Sequence, residues 1–215
     1  MTGSGTRRLD RAFFARPARA VAVALLGQRL MRDAGDGAAG GIIVETEAYC
    51  DTGAVDLACH GSRNRGRPTA RTAVMFGPPG HAYVYFTYGM HWLFNVVTGA
   101  PGHPSAVLIR ALAPDAGLDA MAARRRDRRG RPLPRSAWTN GPAKLAAALG
   151  IDGAVDGMDL CAADAPVWIE PALDIPVADV DVATGPRIGI GGVPEPWRSM
   201  PWRYWIRGNP WVSRG

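Results

Sequence analysis

The chain has 215 residues, 47% hydrophobic and 20% charged, with a formal net charge of +6. This composition excludes a chain that is disordered throughout, and the length suits one folded domain. No apolar run reaches the roughly 18–20 residues of a membrane-spanning helix. The three cysteines show no paired spacing, so we expect reduced thiols in a cytoplasmic protein. The positive charge suits a polyanionic partner such as nucleic acid.

The N-terminal part predicts a short tail followed by helices. Residues 1–8 are rich in Gly, Ser and Thr and predict a mobile tail ahead of a single domain over residues 9–215. Asp10 is a candidate N-cap for a short helix, and Pro17 to Leu30 predicts a second helix with proline near its first turn. Asp33 to Gly40 predicts a glycine-rich turn.

The first predicted strand carries the best candidates for acid–base chemistry. Gly41 to Tyr49 is rich in β-branched residues, and a period of two places Glu45, Glu47 and Tyr49 on one face. A carboxylate that stays ionised within reach of water can act as a general base, and a cation such as Arg110 would favour the ionised form. Geometry alone does not choose between the two glutamates. The alternative is two exposed glutamates on an edge strand.

The middle of the chain predicts an aromatic hairpin. A long arginine-containing loop, Cys50 to Phe76, precedes strands over Ala82 to Tyr88 and His91 to Val97, with Tyr88-Gly89-Met90 as the tip. The aromatic residues of this hairpin are Tyr83, Tyr85, Phe86, Tyr88 and Trp92. Such rings can stack on nucleobases, or they can form the hairpin's own core. Tyr88 and Met90 favour the first interpretation, because a hairpin tip tends to be exposed.

The second half predicts one more long strand and two helices. The strand is Ser105 to Leu112, and a helix follows over Asp115 to Arg126. Arg124 to Arg135 is a basic run that predicts a loop. Asn140 is the predicted N-cap of a helix that ends at Leu149, and the last third of the chain predicts short strands and turns.

Phosphate-loop and metal-site patterns are missing from the sequence. The run Ile188 to Gly192 resembles a dinucleotide fingerprint only superficially and predicts a turn, since no helix pattern follows it. Cys50, Cys59, His60 and His81 match no zinc spacing, so we expect no metal and no cofactor. The single lysine, Lys144, is the only side-chain amine available as a nucleophile.

A set of longer motifs occurs in a fixed order along the chain. They are Ile43 to Tyr49 (IVETEAY), His60, Val74 to Gly80, Tyr83 to His91, Asn95, Leu108 to Leu112, Asn140 to Leu145 and Arg207 to Ser213. Together they resemble the alkyladenine (3-methyladenine) DNA glycosylase family, over about residues 9–213. One region departs from that pattern: the stretch from Tyr49 to His60 is about two residues longer than usual, and Arg67 to Thr72 lacks an expected proline and asparagine.

The resemblance implies roles for particular residues. Glu47 matches the base that activates water, and Arg110 matches an arginine near the base and its water. Tyr49, His60 and Tyr85 match the residues that sandwich a flipped base.

Three further roles follow from the same resemblance. Asn95 matches a pocket residue that screens the amino group of guanine. Tyr88 matches the residue that fills the gap left in the duplex, and Met90 one that wedges at the same step.

The resemblance also implies a fold and a function. The expected fold is a mixed α/β (α+β) single compact domain around a curved antiparallel sheet, with surrounding helices and a protruding β-hairpin. The expected activity is hydrolysis of the N-glycosidic bond of alkylated or deaminated purines in double-stranded DNA. We expect a monomer without lyase activity, in the cytoplasm and nucleoid of a bacterial-type cell. The alternatives are a non-catalytic protein that binds damaged DNA and an RNA-binding module; the first has no need of Glu47.

Overall fold

The computed structural model describes residues 8–50, 55–172 and 182–213. Of the predicted tail, residues 1–7 lie outside this description. Arg8 donates a hydrogen bond to the carbonyl of Ala165 at 3.0 Å and lies over the ring of Trp168.

The helices are short and lie around a sheet. They are α1 (Arg11–Phe14), α2 (Ala18–Leu25), α3 (Arg63–Gly66), α4 (Leu118–Arg124) and α5 (Pro142–Leu149). Further single turns of 3-10 helix cover His60–Ser62, Ala73–Phe76, Arg135–Ala137 and Gly153–Val155. In the described part of the chain, no helix is long and apolar enough to cross a membrane.

Eight strands are described, and every pairing between them is antiparallel. They are β1 (Arg29–Asp33), β2 (Ala38–Cys50), β3 (Ala82–Thr87), β4 (His91–Val97), β5 (Ser105–Ala116), β6 (Val167–Glu170), β7 (Val182–Gly185) and β8 (Arg203–Ile206). The sheet runs in the order β3-β4-β5-β2-β1-β6, and β8 joins β2 to β7. The expected α+β domain built on an antiparallel sheet is confirmed.

The long strand β2 lies at the centre of this sheet. It pairs with β5 on one edge, while β1 and then β8 pair with the other edge. The register against β5 shifts between Ile43 and Glu45 and again between Glu45 and Thr46. Such bulges bend a strand and re-aim its side chains, and they often lie beside functional sites. Here they lie where the two carboxylates are.

The main core lies between the helices and the sheet. Helix α2 buries Val21 and Leu25 against β2, and the Thr46 hydroxyl donates a hydrogen bond to the carbonyl of Ala22 at 2.9 Å. At α1, the Asp10 carboxylate accepts a hydrogen bond from the Phe13 N–H at 2.9 Å, which confirms the predicted cap. The helix therefore starts where its first free backbone donors are satisfied.

The predicted second helix was too long. It ends at Leu25, because Leu26 is extended and Gly27 takes the left-handed conformation with φ of +82°. The chain then enters strand β1 at Arg29, which the sequence analysis missed. The residues from Arg29 to Asp33 pair with β2 and β6 on both sides, so partners distant in sequence override the local helical pattern.

Three other predicted boundaries, at β5, α4 and α5, were wrong. Strand β5 continues to Ala116, so α4 begins only at Leu118, after Gly117 with φ of +61°. At α5 the N-cap is Gly141, while the Asn140 side chain accepts a hydrogen bond from the Lys144 ammonium at 2.9 Å. Asn140 is held instead as an isolated bridge partner of Ala111 on β5.

Candidate active site

A cavity of about 860 Å³ opens between the sheet, the β3–β4 hairpin and the segment 188–194. Six of the eight predicted site residues line it, namely Tyr49, His60, Tyr85, Tyr88, Asn95 and Arg110. Glu47 is completely buried and contacts two of these lining residues. Met90 lies at the hairpin tip, outside the lining.

Glu47 is held by donors from three parts of the chain. Its Oε1 accepts a hydrogen bond from the Ile188 N–H at 2.7 Å and lies 3.1 Å from the Arg110 guanidinium. Its Oε2 accepts a hydrogen bond from the Tyr49 hydroxyl at 2.8 Å. Burial raises the pKa of Glu47, while Arg110, the Ile188 N–H and Tyr49 oppose that rise. The result is a carboxylate that binds a proton more readily than an exposed glutamate.

Glu45 is equally buried but has a denser set of partners. Its Oε1 accepts hydrogen bonds from Arg110 at 3.0 Å and from Arg203 at 3.1 Å. The Ser213 N–H and hydroxyl donate to the same carboxylate at 2.7 and 2.9 Å. Glu45 thus ties β2, β5, β8 and the C-terminal segment together. The alternative of two exposed glutamates on an edge strand is wrong.

The predicted arrangement of both carboxylates on one face of the strand is confirmed. Arg110 on β5 bridges them, with Nε toward Glu45 and Nη1 toward Glu47. Only 6% of the Arg110 side chain is exposed, so water screens these ion pairs weakly. One guanidinium therefore fixes the relative position of the two glutamates.

An aromatic wall faces this cluster. His60 and Tyr85 are in edge contact, with ring centroids 4.7 Å apart, and His60 Nδ1 lies 2.9 Å from the Tyr83 hydroxyl. Burial, with Arg71 and Arg63 nearby, lowers the pKa of His60 to about 4, so the imidazole is neutral at pH 7. Burial raises the pKa of Tyr85 to about 12. Asn95 donates a hydrogen bond to the Tyr83 carbonyl at 3.0 Å.

The hairpin tip differs from the rest of the site because it is open to solvent. Tyr88 is 79% exposed and has φ of +51°, a conformation that is uncommon for a residue with a side chain. Met90 is 66% exposed. The hairpin-core interpretation is confirmed for Tyr83, which is a buried core residue, whereas Tyr88 lies outside the core.

Comparison with known proteins decides the family. The profile of the family described as methylpurine-DNA glycosylase matches residues 12–210. The chain belongs to this family. It is therefore a DNA glycosylase, a hydrolase of N-glycosyl bonds.

The similarity to individual glycosylases covers nearly the whole chain. A relative from Burkholderia lata is 50% identical over 95% of this chain and 90% of its own length. Relatives from Rhodopseudomonas palustris strain HaA2 and Carboxydothermus hydrogenoformans are 46% and 44% identical, over 95% and 96% of this chain. All three carry the provisional name 3-methyladenine DNA glycosylase.

The sequence analysis missed part of this glycosylase site. Ile188 to Gly192, predicted as a simple turn, also forms a cavity wall and supplies the N–H that binds Glu47. Arg187, which precedes Ile188, and Asp56 are both buried and do not line the cavity. A glycine-rich run gives no sign of what it packs against. The only sequence signal for Arg187 is that a charged residue stands beside apolar ones.

Across residues 8–50, 55–172 and 182–213, no group of three or more His, Cys, Asp or Glu side chains is placed to hold a metal ion. Cys59 is buried, and its thiol lies 3.8 Å from the Pro104 carbonyl.

Proposed function

We propose that this glycosylase receives a damaged purine, flipped out of duplex DNA, in the 860 Å³ cavity and hydrolyses its glycosidic bond with water activated by Glu47. The observation that carries the proposal is the buried Glu47 carboxylate, bound to three residues of an aromatic-lined cavity. The glycosidic bond of a base stacked inside the double helix is out of reach of the active site, so the enzyme must extrude the base at a cost of a few kcal/mol.

Base recognition would use the aromatic residues of the cavity. Tyr49, His60 and Tyr85 would stack on the extruded ring, which favours electron-poor bases such as 3-methyladenine and 7-methylguanine. A neutral His60 suits this role, because it adds no repulsion against a cationic lesion. Asn95, at the cavity wall, would screen against the amino group of guanine.

Glu47 would supply the chemistry. A carboxylate with a raised pKa is a stronger base, and its negative charge stabilises the positive charge that develops on the sugar. Arg110 lines the cavity and holds Glu47 at 3.1 Å, so it would orient this carboxylate and contact the water. Neutral lesions of the hypoxanthine and ethenoadenine class need the same water and a proton for the leaving base.

The exposed tip would replace the lost base in the duplex. Tyr88 would occupy the gap, and Met90 would wedge at the same base step. Their exposure in the free protein supports this role, since neither side chain has to leave a core. We further expect the glycosylase to act as a monomer on the nucleoid DNA of a bacterial cytoplasm.

The reaction should be monofunctional, leaving an abasic site in an unbroken strand. A lyase step needs an amine to form a Schiff base. Lys144 is exposed on α5, bonded to Asn140, and is absent from the cavity lining.

The test is single-turnover base release from duplexes that carry 3-methyladenine, 7-methylguanine, hypoxanthine or ethenoadenine. We expect free base, an intact strand and no covalent adduct on borohydride treatment; a trapped adduct that disappears in Lys144→Ala would refute the monofunctional reaction. Tight lesion binding without release would favour a non-catalytic binder. Preference for single-stranded RNA in competition would favour the RNA-binding module.

A further inference from the structure

A buried ion pair joins three walls of the cavity. The Arg187 guanidinium binds both carboxylate oxygens of Asp56, at 2.7 and 2.9 Å, and both side chains are completely buried. The same guanidinium donates to the carbonyl of Ala48 on β2 at 3.0 Å and to that of Trp197 at 3.1 Å. One side chain therefore connects β2, the segment that leads to His60 and the segment 187–194.

The pair is directly linked to the proposed reaction groups. Arg187 is followed at once by Ile188, whose N–H donates to Glu47 at 2.7 Å. The Arg187 guanidinium lies over the ring of Tyr49, 4.7 Å from its centroid, and is absent from the cavity lining. Asp56 accepts a hydrogen bond from the Ala58 N–H at 3.0 Å, and Ala58 lies in the wall that carries His60.

We propose that Asp56 and Arg187 are positioning residues for catalysis: they hold the Ile188 N–H against Glu47 and fix the His60 and Tyr49 walls relative to each other. Neither side chain touches the substrate. The inference rests on the proposed role of Glu47 as the general base. Its physical basis is that a bidentate guanidinium–carboxylate pair has a defined geometry, which a lysine in place of Arg187 does not reproduce.

The pair also affects the charge on Glu47 through Ile188. The groups that face Glu47 are Arg110 on β5, Glu45 and Tyr49 on β2, Arg203 on β8, Tyr85 on β3, and Arg187 with the Ile188 N–H. The Ile188 N–H opposes the rise in the pKa of Glu47 that burial causes. If Ile188 moves away, the pKa of Glu47 rises further, and the active ionised form appears only at higher pH.

The test measures hypoxanthine release against pH under single-turnover conditions for Arg187→Lys and Asp56→Asn. We expect the maximal rate to fall about 10- to 100-fold, as for displacement of a reacting group by about 1 Å. The acid limb should move up by about 1 to 2 pH units, the size expected from loss of one hydrogen bond to a charged carboxylate. Lesion binding should change less than the rate does.

The control is Arg29→Lys, which alters another arginine with two acidic partners, Asp115 and Glu170, away from the cavity. Its acid limb should stay at the wild-type pH. A lower melting temperature in Arg187→Lys and Asp56→Asn with an unmoved acid limb, or failure of both variants to fold, would assign the pair to stability alone and overturn the proposal. Normal activity in Glu47→Gln would instead refute the proposed function itself.

Discussion

The carboxylate cluster on β2 and the tip of the β3–β4 hairpin are built in opposite ways. Glu45 and Glu47 are completely buried and share Arg110, whereas Tyr88 at the tip is 79% exposed. In the cluster one change alters several interactions at once, because buried charges depend on each other's presence. At the tip, a substitution of Tyr88 removes a side chain that has few contacts with the rest of the protein. Chemistry and folding are therefore coupled in the cluster and separable at the tip.

The largest effect should come from Glu47→Gln. This change keeps the shape but removes the ability to accept a proton, which alone costs about 10²- to 10⁴-fold in rate. Loss of the charge that stabilises the developing cation should lower the rate further. Single-turnover hypoxanthine release should become hard to detect while binding to lesion DNA persists.

The stability of the same variant tests how the cluster is built. Because folding raises the pKa of Glu47, ionised Glu47 lowers stability, and this cost appears as the pH rises through its folded pKa. A neutral glutamine side chain carries no such cost, which offsets part of the loss of the Arg110 ion pair, so the melting temperature at pH 7 should fall less than in Glu45→Gln. Near-normal release by Glu47→Gln, with loss in a folded Glu45→Gln, would exchange the assigned roles of the two carboxylates.

Glu45→Gln should act mainly on stability. The carboxylate accepts from Arg110, Arg203 and both donors of Ser213, and removing one partner of a buried ionic network typically costs about 3–5 kcal/mol. We expect a clear loss in the free energy of unfolding in urea, with substantial base release from the fraction that remains folded. A variant as stable as the wild type would show that Glu45 does not stabilise the fold.

The smallest effect should come from Tyr88→Ala, and it should appear in binding alone. Loss of a ring that stacks in DNA weakens binding by about 1–3 kcal/mol. The free energy of unfolding should change little, since the side chain is mostly exposed. Titration of the variant with lesion-bearing duplex measures the binding, and a thermal melt measures the stability. A lowered melting temperature with unchanged base release would make Tyr88 a folding residue and remove the contrast between tip and cluster.

Local sequence signals were sufficient where each element is specified by its own residues. The hairpin strands follow from alternation around Tyr88-Gly89-Met90, and Asp10 caps α1 as its side chain predicts. The common face of Glu45 and Glu47 follows from the period of a strand. The predicted boundaries were wrong where strands distant in sequence determine the structure. Arg29 to Asp33, for example, pairs with β2 on one edge and with β6 on the other.

The sequence by itself determined the family motif, the strand that carries both carboxylates and the exposed aromatic tip. Only the tertiary structure decided which donors surround each carboxylate. Glu45 meets Ser213, 168 residues away, and Glu47 meets the N–H of Ile188, 141 residues away. The reason is that burial and the chosen neighbours set a carboxylate's charge and orientation, and neighbours so far apart along the chain leave no local pattern.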